Sequence, residues 1–115
     1  MNRNFRLTHS TDFKRVRRSG KSYAHPLVVL VVLPANGEKT QIGVTAGRSV
    51  GNAVQRNRAK RLLREALIPL LPKLQPGWKV ILISRNAILK VNLPEIQICL
   101  HQLFSTANLI VDWNE

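Results

Sequence analysis

The sequence contains one uninterrupted aliphatic run, Leu27 to Leu33, which lies between Pro26 and Pro34. Its seven residues are far fewer than the roughly 20 that a membrane-spanning helix needs. A continuous apolar run with prolines at both ends is typical of a strand that is buried on both faces. The run therefore predicts a core strand of a sheet and not a segment inside a membrane.

Other segments have the composition of strands. Residues 41–46 alternate apolar with polar or small side chains, and residues 78–84 contain Val-Ile-Leu-Ile. A weaker strand is expected at residues 21–24. Because the turn residues Asn36 and Gly37 separate the aliphatic run from residues 41–46, these two segments are predicted to pair as an antiparallel hairpin.

Two helices are predicted from their start and stop signals. Residues 10–18 carry Ser10 as a candidate cap and Gly20 as a candidate stop. The last helix is expected to begin at the capping-box sequence Asn92 to Glu95 and to run to about residue 107.

The strongest helix prediction covers residues 52–68, where Asn52 and Gln55 have capping-box spacing and Pro69 ends or kinks the helix. The predicted element order is therefore α, two or three β, α, β, α. At about 100° per residue, an apolar arc of roughly 140° lies beside a polar arc of similar width. The apolar arc holds Ala59, Leu62, Leu63, Ala66 and Leu67, and the polar arc holds Arg56, Asn57, Lys60, Arg61 and Arg64.

Charge indicates what this polar face binds. The chain has 18 Lys and Arg against 6 Asp and Glu, a net charge of +12 on 115 residues. This excess favours a polyanionic partner, either nucleic acid or an anionic membrane surface, and the lack of a long apolar segment favours nucleic acid. Within residues 56–65, Glu65 is the only acidic residue among five Lys and Arg, which favours a polyanion-binding face. The alternative is that these cations form an ordinary solvated helix surface.

Composition sets two further expectations. Apolar residues make up 44% of the chain and charged residues 21%, a globular balance that at this length indicates one domain over residues 1–115. No apolar signal core follows Met1, which predicts a cytosolic or organelle-interior location.

Sequence motifs for catalysis by the protein itself are missing. The acidic residues are spread over different predicted elements without a shared motif, and nothing in the sequence brings His9, His25 and His101 together. Cys99 has no Cys or His neighbour at metal-ligand spacing and is expected in the core. We therefore predict no catalytic residue and no metal ligand in this chain.

The segment Gly51 to Glu65, with its Arg-Asn-Arg sequence at residues 56–58, resembles the signature helix of the bacterial ribonuclease P protein family. Residues 42–50 resemble the family's preceding strand and loop, and residues 12–16 resemble its first helix. The resemblance covers nearly the whole chain. It implies an α/β fold of the two-layer α+β kind, with a four-stranded mixed sheet, three helices, the order α-β-β-β-α-β-α and a left-handed βαβ crossover.

The resemblance also implies a function. The protein would bind the catalytic ribonuclease P RNA and the single-stranded 5′ leader of precursor tRNA, as a monomer with one copy per RNA. It would lower the requirement for Mg²⁺ that the RNA binds. The implied RNA contacts are Arg48, Asn52, Arg56, Asn57, Arg58, Lys60, Arg61 and Arg64.

For the leader, the resemblance implies a cleft that uses Phe13, Arg17 and the outward residue Val31. Arg17 and Val31 stand where some family members have aromatic residues, so weaker base stacking is expected at both positions. Two other functional classes remain open from the residues: a general RNA-binding protein that uses the same basic helix, and a nuclease that acts without RNA.

Overall fold

The computed structural model describes residues 5–37 and 39–110, and these contain three α-helices and four strands. The predicted order α-β-β-β-α-β-α is confirmed, including the weakly predicted first strand. Glu38, which follows the predicted turn residues Asn36 and Gly37, lies outside the described residues. The elements are α1 (Ser10–Ser19), β1 (Lys21–Ala24), β2 (Val28–Pro34), β3 (Gln41–Ala46), α2 (Ala53–Leu67), β4 (Trp78–Ser84) and α3 (Leu93–Thr106).

The four strands form one mixed sheet in the order β1-β2-β4-β3. The predicted pairing of β2 with β3 is wrong, because β4 lies between them, antiparallel to β2 and parallel to β3. The hairpin partner of β2 is β1, with Tyr23 opposite Leu30. The two most continuously apolar strands, β2 and β4, thus take the central positions, where both of their edges and both of their faces are covered.

The two faces of the sheet are covered by different helices. Side chains such as Leu30, Ile42 and Leu82 join the main core under α2 and α3. On the opposite face, Val31 and Ile81 join a smaller cluster under Val16 of α1. The α/β fold with a four-stranded sheet and three helices is therefore confirmed, and α1 adds a partial third layer to the predicted two.

Helix boundaries follow the local signals with one exception. The backbone N–H of Gln55 donates to Asn52 Oδ1 and that of Asn52 to Gln55 Oε1, both at 2.9 Å, which confirms the capping box of α2. Asn92 caps α3 by accepting from Glu95 N at 3.0 Å. The Ser10 cap is wrong: His9 occupies the cap position, without a side-chain hydrogen bond, and Ser10 is the first helical residue.

The apolar arc of α2 is narrower than the helical wheel predicts. Ala59, Leu63, Ala66 and Leu67 are buried, whereas Leu62 lies at the margin of the arc and is only partly buried. The β3-α2-β4 unit joins two neighbouring parallel strands. Its left-handed crossover stays a prediction from the resemblance, since general chain geometry favours the right-handed form.

Candidate nucleic-acid interface

Helix α2 carries the predicted RNA-binding residues, and its first turn is held in place by several contacts. Besides the capping box, Arg56 donates from a guanidinium nitrogen to the Gly51 carbonyl oxygen at 3.0 Å. Gly51 has a φ of 141°, and a Cβ at this position would overlap the Gln55 side chain. Only glycine fits there without strain. The direction in which α2 leaves the preceding loop is therefore fixed in the free protein.

The polar residues of α2 divide into two groups by exposure. Asn57, Arg58 and Arg61 are exposed, on the side that faces away from the sheet; together they are called the outer face below. Arg56, Lys60 and Arg64 follow one another at four-residue spacing and are half-buried along one flank. Arg48 and Asn52, which precede the helix, are also exposed. The structure thus brings the eight predicted RNA-binding residues together on and beside α2, but on two adjoining sides.

The half-buried flank leads to a cleft of about 310 Å³. The cleft forms because the segment before α1 runs along the edge of β3, where Leu7 N donates to Ile42 O at 3.0 Å. Arg6 and Ile42 form a parallel bridge at the same place. The cleft is lined by Arg6, Leu7, Thr8, Phe13, Ile42, Gly43, Val44 and Arg64.

Two arginines from distant parts of the chain, Arg6 and Arg64, line this cleft. Burial lowers the pKa of the Arg64 guanidinium, and the charge of Arg6 lowers it further. Arg64 Nε is buried and finds no hydrogen-bond partner among the residues that the structure describes. A buried donor without a partner is unfavourable, and an anionic oxygen in the cleft would satisfy it and offset the repulsion between the two cations.

The aromatic wall of the cleft is Phe13 of α1, whose half-buried ring lies against Gly43 of β3. Helix α1 is fixed to the sheet by an ion pair in which Lys79 Nζ lies 2.9 Å from Asp12 Oδ1. This hydrogen bond is the main reason that the pKa of Asp12 is held below its usual value of 3.8. The position of the Phe13 ring therefore depends on its packing against Gly43 and on the ion pair made by the preceding residue, Asp12.

The other two predicted leader contacts have different surroundings. Arg17 is exposed on α1, outside the cleft lining. Val31 is only 3% exposed, so the prediction that it faces outward is wrong. It does point away from the main core, but α1 covers that face of the sheet and Val31 packs with Val16 and Ile81.

Of the eight residues that line the cleft, only Phe13 and Arg64 were predicted as site residues, and Arg6 and Gly43 are two of those that were missed. Arg6 precedes the first helix in a segment without periodicity, so no local signal marks it. Gly43 was identifiable, because it faces away from the main core in an alternating strand, where glycine often marks the close approach of another group. Arg64 was identified, but as part of the helix face and not as a cleft residue.

The possible metal ligands in residues 5–37 and 39–110 form no cluster of three or more. Within these ranges no three His, Cys, Asp or Glu side chains lie close enough to hold a metal ion. Cys99 is buried as predicted, and burial raises the pKa of its thiol to about 11. Among the described helices, none combines the length and apolar character needed to cross a bilayer.

A mixed sheet that carries a capped, cation-rich helix beside a basic cleft defines an α/β protein with a surface suited to a polyanion. The chain belongs to the ribonuclease P protein family: a family model described as Ribonuclease P matches residues 1–108. This confirms the resemblance seen in residues 51–65. Proteins of this family are components of a ribonucleoprotein endoribonuclease that processes tRNA.

Individual relatives support the assignment. The ribonuclease P protein component of Herpetosiphon aurantiacus is 39% identical over 109 residues, which cover 95% of this chain and 89% of the relative. That of Symbiobacterium thermophilum is 39% identical over 111 residues, 96% of each chain. The structure of the Staphylococcus aureus RNase P protein matches with a TM-score of 0.81 at 24% identity, over 93% of this chain and 98% of the other. This last likeness shows the fold alone.

Proposed function

We propose that the chain acts as a single domain over residues 1–115 in ribonuclease P, binding both the catalytic RNA and the 5′ leader of precursor tRNA. The observation that carries the proposal is the arrangement of α2, whose exposed outer face and half-buried flank present cations in two directions. One helix can therefore contact two strands of RNA at once.

The outer face is assigned to the catalytic RNA. Asn57, Arg58 and Arg61 project away from the sheet, and Arg48 and Asn52 extend the same basic surface at the start of the helix. Arginine can hold phosphate oxygens with two parallel hydrogen bonds, which suits the backbone of a folded RNA. If about six phosphates are contacted, affinity should fall roughly 10³-fold between 50 and 200 mM salt.

The cleft is assigned to the leader. Its volume of about 310 Å³ is at the lower end of ligand sites and suits one unstacked nucleotide of a single strand. The ring of Phe13 offers a stacking surface for a base, and Arg6 with Arg64 offers donors for the adjacent phosphate. Arg17 lies one turn further along α1 and would meet the next phosphate, whereas Val31 supports the helix from below and makes no direct contact.

Catalysis is assigned to Mg²⁺ held by the RNA. The protein would contribute by neutralising phosphate charge, so that the complex forms and holds its substrate at a lower Mg²⁺ concentration. It would do so as a monomer, with one copy per RNA. The setting is the bacterial cytoplasm or an organelle interior, where precursor tRNA is the substrate.

The test is single-turnover cleavage of a precursor tRNA by a bacterial ribonuclease P RNA at low Mg²⁺, with and without the purified protein. We expect the protein to restore accurate removal of the leader and to be inactive by itself. Arg58→Ala combined with Arg61→Ala should remove most of the stimulation, because both cations belong to the outer face.

The matched control is Lys39→Ala combined with Lys73→Ala, which removes the same charge from exposed positions outside α2 and the cleft. If both double variants lose activity equally, net charge and not the outer face is responsible. Binding without any effect on cleavage would indicate a general RNA-binding protein. Cleavage by the protein in a preparation free of RNA would contradict the assignment of catalysis to the RNA.

A further inference from the structure

Val54 is the most exposed large hydrophobic residue of the described chain. Its relative exposure is 77%, compared with 59% for Ile98 and 53% for Ile68. It belongs to neither of the two apolar clusters. The free protein therefore gains no core packing from this side chain.

The position of Val54 places it among the cations of the outer face. At 100° per residue, Val54 lies about 20° from Arg61 and about 40° from Arg58 around the axis of α2, opposite the buried arc centred near Leu63. The capping box and the Arg56 contact to Gly51 fix the turn that carries it. An apolar group thus lies at the centre of the surface assigned to RNA, on a turn whose backbone is capped.

Valine is also an unfavourable choice for this helix position. β-branched side chains lose rotamer freedom in a helix and have lower helix propensity than alanine. An exposed residue that lowers helix stability and makes no core contact has no structural role that the described residues reveal. Its chemistry instead suits the apolar parts of RNA, which are the ribose carbons and the faces of unstacked bases.

We infer that Val54 is a binding residue for the catalytic RNA, packing on a ribose or an unstacked base between phosphates that Arg58 and Arg61 contact. The inference rests on the proposed function. It predicts that the affinity of the outer face for RNA has two parts. The cations supply a part that depends on salt concentration, and Val54 supplies a part that does not. Ionic contacts weaken as counterions are added, whereas burial of apolar surface does not depend on counterion release.

The experiment measures the Kd for an in vitro transcribed ribonuclease P RNA at several salt concentrations from 50 to 400 mM. For Val54→Ala we expect a loss of about tenfold at every salt concentration, because two apolar groups lose burial, with an unchanged slope of log K against log salt. Arg58→Ala should instead reduce that slope by about 0.7 to 0.9. Val54→Thr, which keeps the shape and the β-branch, should show an intermediate loss.

Two controls separate binding from folding. Ile98→Ala removes an exposed aliphatic side chain from α3 and should bind like the unmodified protein. Val54→Ala should melt at the same temperature or higher, since alanine favours the helix; a purely structural role would lower the melting temperature instead.

The inference is overturned if Val54→Ala binds like the unmodified protein while Arg58→Ala changes the slope as expected. Equal losses for Ile98→Ala and Val54→Ala would also overturn it. If the unmodified protein shows no salt-dependent binding to this RNA, the proposed function fails and the inference fails with it. Salt-dependent binding by the unmodified protein, together with the slope change in Arg58→Ala, therefore distinguishes failure of the inference from failure of the proposed function.

Discussion

The ring of Phe13 on α1 lies directly over Gly43 of β3, so that a methyl group added at position 43 would overlap the ring. Phe13 forms a wall of the cleft and Gly43 forms its floor. One contact between two residues that are 30 positions apart in the sequence therefore sets both. Glycine at this position leaves room for the ring, and the ring in turn bounds the space beside Arg64.

A double-mutant cycle tests this contact. Gly43→Ala should displace the ring and weaken binding of precursor tRNA to the assembled RNA–protein complex by about tenfold, since one stacked base contributes about 1–3 kcal/mol. In a Phe13→Ala background the same substitution should have little further effect, because the ring is gone. The measurement is the Kd for precursor tRNA, with mature tRNA as the control ligand that lacks a leader. Additive losses in the cycle would show that the two residues act independently.

Removal of the half-buried Arg64 guanidinium should affect the stability of the protein and its binding of the leader in different ways. Arg64→Met should leave the free energy of unfolding unchanged or raise it by up to about 1 kcal/mol, because it removes a donor without a partner and a cation near Arg6. The same variant should lose affinity for the leader. Urea denaturation and precursor binding are the two measurements. Lys73→Met, at an exposed position outside α2 and the cleft, is the control, and a clear fall in stability for Arg64→Met alone would contradict the prediction.

Leu62 and Leu63 provide a matched pair for core packing. Leu63 is fully buried, at 0% exposure, so Leu63→Ala should lower the free energy of unfolding by about 2–5 kcal/mol. Leu62→Ala should cost clearly less, because Leu62 is only partly buried at the margin of the core. Urea titrations analysed with a common m-value give the change in free energy of unfolding for each variant. Equal costs would mean that α2 is rotated about its axis from the position described above.

The Asp12 to Lys79 ion pair makes a prediction about pH. Because the hydrogen bond from Lys79 lowers the pKa of Asp12 below 3.8 in the folded protein, the pair stabilises the fold above about pH 4 and loses this effect as the pH falls through the lower folded value. Asp12→Asn should therefore reduce stability at pH 6 by about 1 kcal/mol or less, and this effect should diminish as the pH falls below 3.8.

Thermal melting of Asp12→Asn across pH 2 to 7 measures this dependence. Glu65→Gln is the control, since Glu65 is an exposed carboxylate for which the described residues show no ion pair. A difference between Asp12→Asn and the unmodified protein that stays constant down to pH 2 would rule out the ion pair as its cause.

Local signals in the sequence were sufficient where the interaction itself is local. Asn52 and Gln55 are three residues apart, so their spacing predicts the start of α2 and with it the direction of the cation-rich helix. The short turn between β2 and β3 predicts that these two strands pair. Pairing also depends on strands that are distant in the sequence, and the apolar strand β4 lies between β2 and β3. Strand propensity and turn chemistry are local properties, so they cannot predict that a later strand takes this position.

The same limit applies to the cleft. The alternation of β2 shows that Val31 faces away from Leu30, but it cannot show that α1 covers that face. Arg6 and Arg64 are 58 positions apart in the sequence and meet only because the segment before α1 runs along the edge of β3. Their proximity is a property of the tertiary structure alone.

The central place of β4 has a consequence for the order of folding during synthesis. Among the described residues, β3 pairs with β4 and with the bridge at Arg6, but not with β1 or β2. A chain that ends before Trp78 contains the β1-β2 hairpin, β3 and all of α2, yet it cannot join β3 to that hairpin, because β4 is the strand that lies between β2 and β3. Closing the sheet therefore requires contacts of large sequence separation, which slow folding. The sheet that carries the cation-rich helix α2 is therefore complete only after residues 78–84 have been added and have taken their place between β2 and β3.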